Sequence, residues 1–364
     1  MPYNTKKVGP FVPQFGRKPE SFIGRKALVD ELIEGFYTRN SPLRTTIISG
    51  VRGSGKTALL TDIADELKKD KDWIIITTSF SEQLLDNILS QLEEKISRSK
   101  FQLKGLSFSL AGLSLALEKK ETVNFQVTLI SIVEQLSAQG IGLVFVVDEI
   151  KTSSQMREFA ATYQLLVRED LDVVLLMAGL PQLVMSVLTD DVLTFLQRSH
   201  RLFLQNIDPY SLKLEYQRVF SEASRNFTEE ALNAAYLSTY GYPYLYQLLG
   251  YYLWLSPDKI IDPQAVEQAL ARSKPLLFQN VYTLSWRDLS QGEKLYLLAL
   301  AQTGESAKAA EISQARKRTT TALSKYRHSL INRGLIESPD YGVVKFSLPL
   351  LREFILEQHQ FGYI

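Results

Sequence analysis

The stretch GVRGSGKT, Gly50–Thr57, decides how this chain is read. It fits the spacing G-x-x-x-x-G-K-[ST], a loop whose backbone N–H groups cradle phosphate oxygens. Its flanks agree. TTIIS (Thr45–Ser49) is β-branched and apolar, as a buried strand is. TALLTDIADELKK (Thr57–Lys69) puts Leu60, Ile63, Ala64 and Leu67 on one helical face. Gly50, Gly53 and Gly55 let the backbone curl, and the helix N-terminus adds partial positive charge. Gly50, Val51, Arg52, Gly53, Ser54, Gly55, Lys56, Thr57 and Ala58 are therefore expected to surround the phosphates of ATP. Lys56 would reach the β- and γ-phosphates, and the Thr57 hydroxyl would bind Mg²⁺. The competing reading is a glycine-rich turn with an incidental lysine, and the strand before and the helix after argue against it.

Composition limits the rest. A length of 364 residues gives two or three domains with ample core. Hydrophobic content of 45% and charged content of 22% are those of a soluble globular protein. No apolar run reaches the length of a transmembrane helix, and MPYNTKKVGP lacks the apolar centre of a secretory signal. Zero cysteines exclude disulfides and Cys-ligated zinc. His200, His328 and His359 lie far apart in sequence, so a histidine metal site is not expected. A cytoplasmic location and no membrane partner follow. With a net charge of +1, any polyanion-binding surface must be local.

Working outward, DWIIITTSF (Asp72–Phe80) and LDVVLLMAGLP (Leu171–Pro181) read as buried strands. So does IGLVFVVDEI (Ile141–Ile150), an apolar run typical of a central parallel strand. Asp148 and Glu149 fall at its carboxyl end, where open α/β sheets place ligands. Helical patterns at Ser81–Ile96, Val123–Gly140 and Met156–Asp170 alternate with these strands, so the fold class is α/β with a parallel sheet. Residues 1–20, with Pro2, Pro10, Pro13 and Pro19, read as an extended basic arm without packing. FQLKGLSFSLAGLSLALEKK (Phe101–Lys120) alternates serine with apolar residues, the pattern of a hairpin. That hairpin packs on the core or offers a protein partner a contact surface, ahead of a third reading as a membrane-surface segment.

The box SFIGRKALVDELIEGFY (Ser21–Tyr37) resembles the F-[IV]-G-R-x-x-x-[LIV] element of AAA+ ATPases, in the branch of replication-initiator ATPases and their bacterial relatives. That resemblance, which spans almost the whole chain, implies that Phe22, Ile23 and Gly24 contact adenine. It implies that Asp148 holds Mg²⁺ through water and that Glu149 polarises the attacking water. It places an arginine that completes a neighbouring subunit's site near Arg198 and Arg201, and so implies self-association. These could also be two surface arginines. Where the family carries a polar γ-phosphate sensor, this chain reads Met177-Ala178-Gly179. Where many lids carry an arginine after G-x-P, it has Tyr244. Both departures imply slow hydrolysis.

The resemblance also orders the remainder: an AAA+ core at 21–207, a helical lid at 208–282 and a winged helix-turn-helix at 283–364. NIDPYS (Asn206–Ser211) reads as a linker, followed by helices at Leu212–Ser224, Thr228–Tyr240 and Gly241–Leu255. The tyrosines of that last stretch read as lid core and surface. Beyond Trp286, helices at Asp288–Gly304, Ala307–Ala315 and Arg316–Ile336 precede two strands around a Pro-Asp-Tyr-Gly turn. Arg316–Arg333 holds six basic and no acidic residues. Arg316, Lys317, Arg318, Lys325 and Arg327 are groups that contact phosphates and base edges, which points to double-stranded DNA. The alternative is a regulatory signalling ATPase whose winged helix and hairpin bind protein partners.

Overall fold

A computed structural model describes residues 9–14, 25–98 and 124–363. Phe22, Ile23, Gly24 and the expected hairpin at 101–120 lie outside the described residues. The chain divides into two compact units. One comprises Ala27–Ser49 and Leu59–Phe203; the other comprises Met1–Lys26, Gly50–Ala58 and Leu204–Ile364.

The first unit is an α/β layer structure. Its described residues form a five-stranded sheet from β1 (Thr45–Ser49), β2 (Trp73–Ser79), β3 (Gly142–Asp148), β4 (Val173–Gly179) and β5 (His200–Phe203). The order is β2-β3-β4-β1-β5 and every pairing is parallel. β4 is buried along its whole length, and β3 until Asp148. Strands covered on both faces must be apolar throughout, and each fully buried branched side chain contributes about 1.5–3 kcal/mol. Helix α1 (Lys26–Tyr37) precedes β1, α2 (Lys56–Leu67) follows it, and α3 (Leu84–Arg98), α4 (Phe125–Ser137) and α5 (Ser154–Arg168) cross between strands. α3 packs on β2 and α4 on β3. Leu60, Ile63, Ala64 and Leu67 are buried together, as their spacing predicts. The short α6 (Pro181–Leu188) closes the unit. β5 is a strand the sequence did not announce. Four residues with alternating half-burial carry too weak a pattern, and only pairing with β1 fixes them.

The second unit holds the helices α7 (Pro209–Glu222), α8 (Glu229–Ser238), α9 (Pro243–Leu255) and α10 (Pro263–Leu277), where the lid was expected. Asp208, Thr228 and Asp262 cap α7, α8 and α10 through their side chains. Two short strands, β6 (Asn226–Phe227) and β7 (Ile260–Ile261), pair within the lid. Residues 9–14 form no helix or strand, but they are packed, which corrects the expectation of an unpacked arm. Phe11 is buried among Tyr216, Phe220, Tyr246 and Trp254. A Cβ on Gly250 would collide with its ring. The Val12 N–H donates to Gln247 Oε1 at 2.8 Å.

α10 does not end at a linker. It runs through a π-helical turn at Phe278–Tyr282 into α11 (Thr283–Arg287), so the boundary expected at 282/283 falls inside a continuous helical run. Pro275 removes one N–H from the ladder inside α10, and the helix nevertheless continues past it into the π-helical turn. Then follow α12 (Gln291–Thr303), β8 (Ser306–Lys308), α13 (Ala309–Arg316), α14 (Thr320–Asn332), β9 (Ile336–Glu337), β10 (Val343–Phe346) and α15 (Leu351–Gln360). These three strands form an antiparallel sheet in the order β8-β10-β9. Residues 307 and 308, expected to open a helix, belong instead to β8, because pairing with β10 outweighs helix propensity there.

Candidate nucleotide site and basic helix

The loop Gly50–Gly55 leaves β1 and enters α2. Gly53 and Gly55 have φ of +72° and +87°, left-handed conformations that side chains avoid. The Lys56 ammonium donates to the carbonyls of Gly50 and Val51 at 2.8 and 2.9 Å. Bonding to these two carbonyls leaves the amine at the loop, within reach of an anion held there. The Ser54 hydroxyl is buried and has no hydrogen-bond partner among the described residues.

Three residues of the same unit close on this loop. Arg25, which follows Phe22-Ile23-Gly24 in sequence, is 7% exposed. Its Nη2 donates to the Gln205 carbonyl at 3.0 Å, and its Nη1 lies 3.0 Å from where a Cβ on Gly55 would be. Among the described residues no carboxylate pairs with it, and burial lowers its pKa to about 10. A buried cation without a counter-ion is costly, and a phosphate at the loop would supply the missing charge. Tyr242, fully buried, donates its hydroxyl to the Arg52 carbonyl. Tyr244 packs over Gly53 and accepts a hydrogen bond from Asn280 Nδ2 at 2.8 Å, the asparagine standing on the π-helical turn. Sequence reasoning assigned no role to Arg25 or Tyr242. The positions were visible in F-I-G-R and G-Y-P-Y, but which atoms they meet is a matter of folding.

Asp148 and Glu149 belong to the other unit. Asp148 ends β3 opposite Ser79 of β2, and its Oδ1 accepts the Glu149 N–H at 2.8 Å. Glu149 is exposed with φ +56°, an uncommon conformation for a residue with a side chain, costing on the order of 1 kcal/mol. The turn lets Ile150 bond the Ala178 carbonyl at 2.9 Å while Glu149 faces solvent. Ala178 and Gly179 at the end of β4 are buried in apolar surroundings, Gly179 against Ile150 and Val184. Arg198, in the 3₁₀ turn Thr194–Arg198, and Arg201, on the edge strand β5, are both exposed. Arg201 Nη2 donates to the Gln197 carbonyl at 2.6 Å.

On the basic segment the folded chain sorts the cations. Lys317, Arg318 and Lys325 are exposed; Arg316 and Arg327 are half-buried, each with a buried Nε that has no partner among the described residues. Arg333 Nε pairs with buried Glu293 at 3.1 Å and is committed to the fold. Thr319 caps α14 by accepting the Ala322 N–H. The helix expected over Arg316–Ile336 starts at Thr320 instead: Arg316 ends α13, and Lys317, at φ +48°, turns the chain between the two helices, so Lys325 is the exposed cation on α14 itself.

A parallel sheet with a phosphate loop after β1 and an acidic pair after β3 is the arrangement of a P-loop AAA+ core. Residues 21–184 match the family described as an AAA ATPase domain, and residues 279–355 match a domain of unknown function. The chain thus carries an AAA ATPase domain. No curated protein matches it. Among solved structures it is similar to a Walker-type ATPase of Pyrococcus abyssi, at 18% identity and a TM-score of 0.67, covering 93% of this chain and 97% of that one. It is similar to the Aeropyrum pernix ORC2 protein in its ADPNP-ADP complexes, at 14% identity and a TM-score of 0.64, covering 96% and 98%. It is also similar to Cdc6p of Pyrobaculum aerophilum, at 14% identity and a TM-score of 0.50, covering 96% and 97%. The likeness is one of fold. No described helix is long and apolar enough to cross a membrane.

Proposed function

We propose that this protein is an ATP- and Mg²⁺-dependent DNA-binding switch of the initiator-like AAA+ type, cytoplasmic, and slow in hydrolysis. One observation carries the reading. Tyr242 and Tyr244 of the lid and Leu297, Leu330 and Phe354 of the C-terminal segment belong to one hydrophobic cluster, and Val51 of the phosphate loop packs against it. A nucleotide that reshapes the loop therefore acts on the same packing that holds α14. Packed cores switch between discrete arrangements and do not deform continuously.

In this reading the loop and Lys56 hold the phosphates, with Arg25 adding charge, and Phe22, Ile23 and Gly24 hold adenine. Thr57 and Asp148 hold Mg²⁺, which neutralises phosphate charge when bound. The ADPNP-ADP complexes of the Aeropyrum pernix relative support an adenine nucleotide. Glu149 takes the proton of the attacking water, and Arg198 or Arg201 completes the site of a second copy. Turnover is slow because β4 ends in Ala178 and Gly179, and because Tyr244 carries no charge to set against a γ-phosphate. The helix–strand–helix–helix–hairpin order from α12 to β10 is that of a winged helix, whose exposed Lys317, Arg318 and Lys325 face DNA phosphates.

The test is duplex DNA binding titrated with salt, with and without ADPNP, in the wild type and in Lys56→Ala. The reading requires a steep negative slope of log K on log salt. It also requires an affinity that responds to ADPNP in the wild type and does not respond in Lys56→Ala. A flat slope would put the signalling ATPase first, with the C-terminal segment binding protein.

A further inference from the structure

We propose that Tyr242 is a positioning residue of the phosphate site: its hydroxyl, fixed on the Arg52 carbonyl, turns the Arg52–Gly53 peptide so that the Gly53 N–H faces the nucleotide's phosphates. The inference rests on the nucleotide-binding reading and assigns the lid a part in phosphate recognition that no charged lid residue supplies here.

The argument starts from the peptide unit. In a planar trans peptide the C=O and the following N–H point in opposite directions. Anchoring one therefore aims the other. The Arg52 carbonyl is anchored by the Tyr242 hydroxyl, so the Gly53 N–H is held on the far side of that peptide from the tyrosine. Gly53, at φ +72°, turns the chain there. A Cβ at this position would collide with the Tyr242 hydroxyl and would lie 2.8 Å from the Tyr244 Cβ. The glycine is thus required by the approach of the tyrosines as well as by the curl of the loop.

Two further carbonyls of the loop, Gly50 and Val51, accept from the Lys56 ammonium, which a bound phosphate would draw away; Val51 also accepts the Ser54 N–H at 3.3 Å. The Tyr242 anchor does not depend on charge. Burial pushes the Tyr242 pKa upward, so the hydroxyl keeps its proton across the working range of pH. The ring is fully buried in the cluster that also contains Tyr282, whose own hydroxyl donates to the Pro349 carbonyl. The anchor is therefore rigid when Lys56 lets go, and it is tied to the C-terminal segment.

Tyr242→Phe removes one oxygen and keeps the ring. In calorimetry on the full chain, affinity for ADP and ATP should fall about tenfold, as expected when one buried acceptor loses its donor. Affinity for adenosine, which carries no phosphate, should hold. With glycine labelled in ¹⁵N, the Gly53 amide signal should move on ADP addition in the wild type and move much less in the variant. Equal losses for ADP and adenosine, with a lower melting temperature of the ligand-free variant, would reduce Tyr242 to scaffold and overturn the proposal. Unchanged ADP affinity would overturn it too, while Lys56→Ala in the same series reports on the nucleotide reading separately. A wild-type chain that takes up no ADP would sink that reading and this inference with it.

Discussion

At the scale of residues, the loop's chemistry turns on charges and carbonyls placed by their neighbours. Arg25 is the sharpest case, since it is buried beside Gly55 with no carboxylate partner among the described residues. Replacing it by Met removes a desolvated charge and keeps much of the side-chain volume. The ligand-free protein should melt at the same temperature or higher, while ADP affinity falls by about tenfold or more. A variant that melts lower and binds ADP as well as the wild type would show Arg25 to be structural. Glu149 makes a second case. Its left-handed backbone holds the carboxylate in solvent at the strand end, where a base can take a proton from water. Glu149→Gln should keep ATP binding and lose most of the residual hydrolysis, because the amide accepts no proton. Hydrolysis that persists at the wild-type rate in a phosphate-release assay would remove Glu149 from the mechanism.

At the scale of elements, α12 and α14 are joined by a buried carboxylate. Glu293 closes the capping box of α12 with Ser290, accepts from the Ser329 hydroxyl at 2.7 Å, and pairs with Arg333. Burial alone would raise its pKa. The hydrogen bonds from Ser290 and Ser329 and the charge of Arg333 outweigh burial, and the net shift is downward from 4.5. A carboxylate with a lowered folded pKa contributes stability that is fully present above its unfolded value. That contribution is lost as the pH falls through the folded value. The melting temperature of the wild type should therefore drop as the pH falls below about 4.5, and Glu293→Gln should start lower at neutral pH and fall less over the same range. Parallel pH profiles for the two proteins would show that Glu293 carries no such linkage.

For the whole molecule, the phosphate loop and the basic segment Arg316–Arg333 lie in one compact unit with a common core. Their functions should nevertheless separate by mutation. Reversing Lys317 and Arg318 to Glu changes two exposed side chains, so ATP affinity and melting temperature should stay put. Duplex DNA binding should weaken at all sequences, and the salt slope should fall by roughly one unit for each DNA phosphate no longer neutralised. Arg316 is left out of this reversal because it is half-buried, and its change would confuse DNA binding with folding. An unaltered salt slope in the double variant would show that this face does not bind DNA.

The strands and helices of the α/β unit were legible because each rests on a local pattern: apolar runs at β3 and β4, a helical stripe at α2, and glycines at the loop. The phosphate loop was legible for the same reason, since its spacing is local and its chemistry is that of the backbone. The short strands β5 and β8 were not, because pairing with a strand far along the chain creates them. Nor was the continuity of α10, which runs through Pro275 and on into the π-helical turn at Phe278–Tyr282. Phe11 read as part of a loose arm because its partners stand more than two hundred residues away. The sequence by itself determined the strands β1 to β4, the glycine turn between β1 and α2, the acidic pair at the end of β3 and the concentration of cations between Arg316 and Arg333. Only the tertiary structure decided that Arg25 is buried beside Gly55, that Tyr242 holds the Arg52 carbonyl, and that Arg333 is spent on Glu293 while Lys317 and Arg318 stay exposed at the surface. Backbone pattern is written in neighbouring residues, whereas burial and the pairing of polar atoms depend on what distant segments bring to the same place.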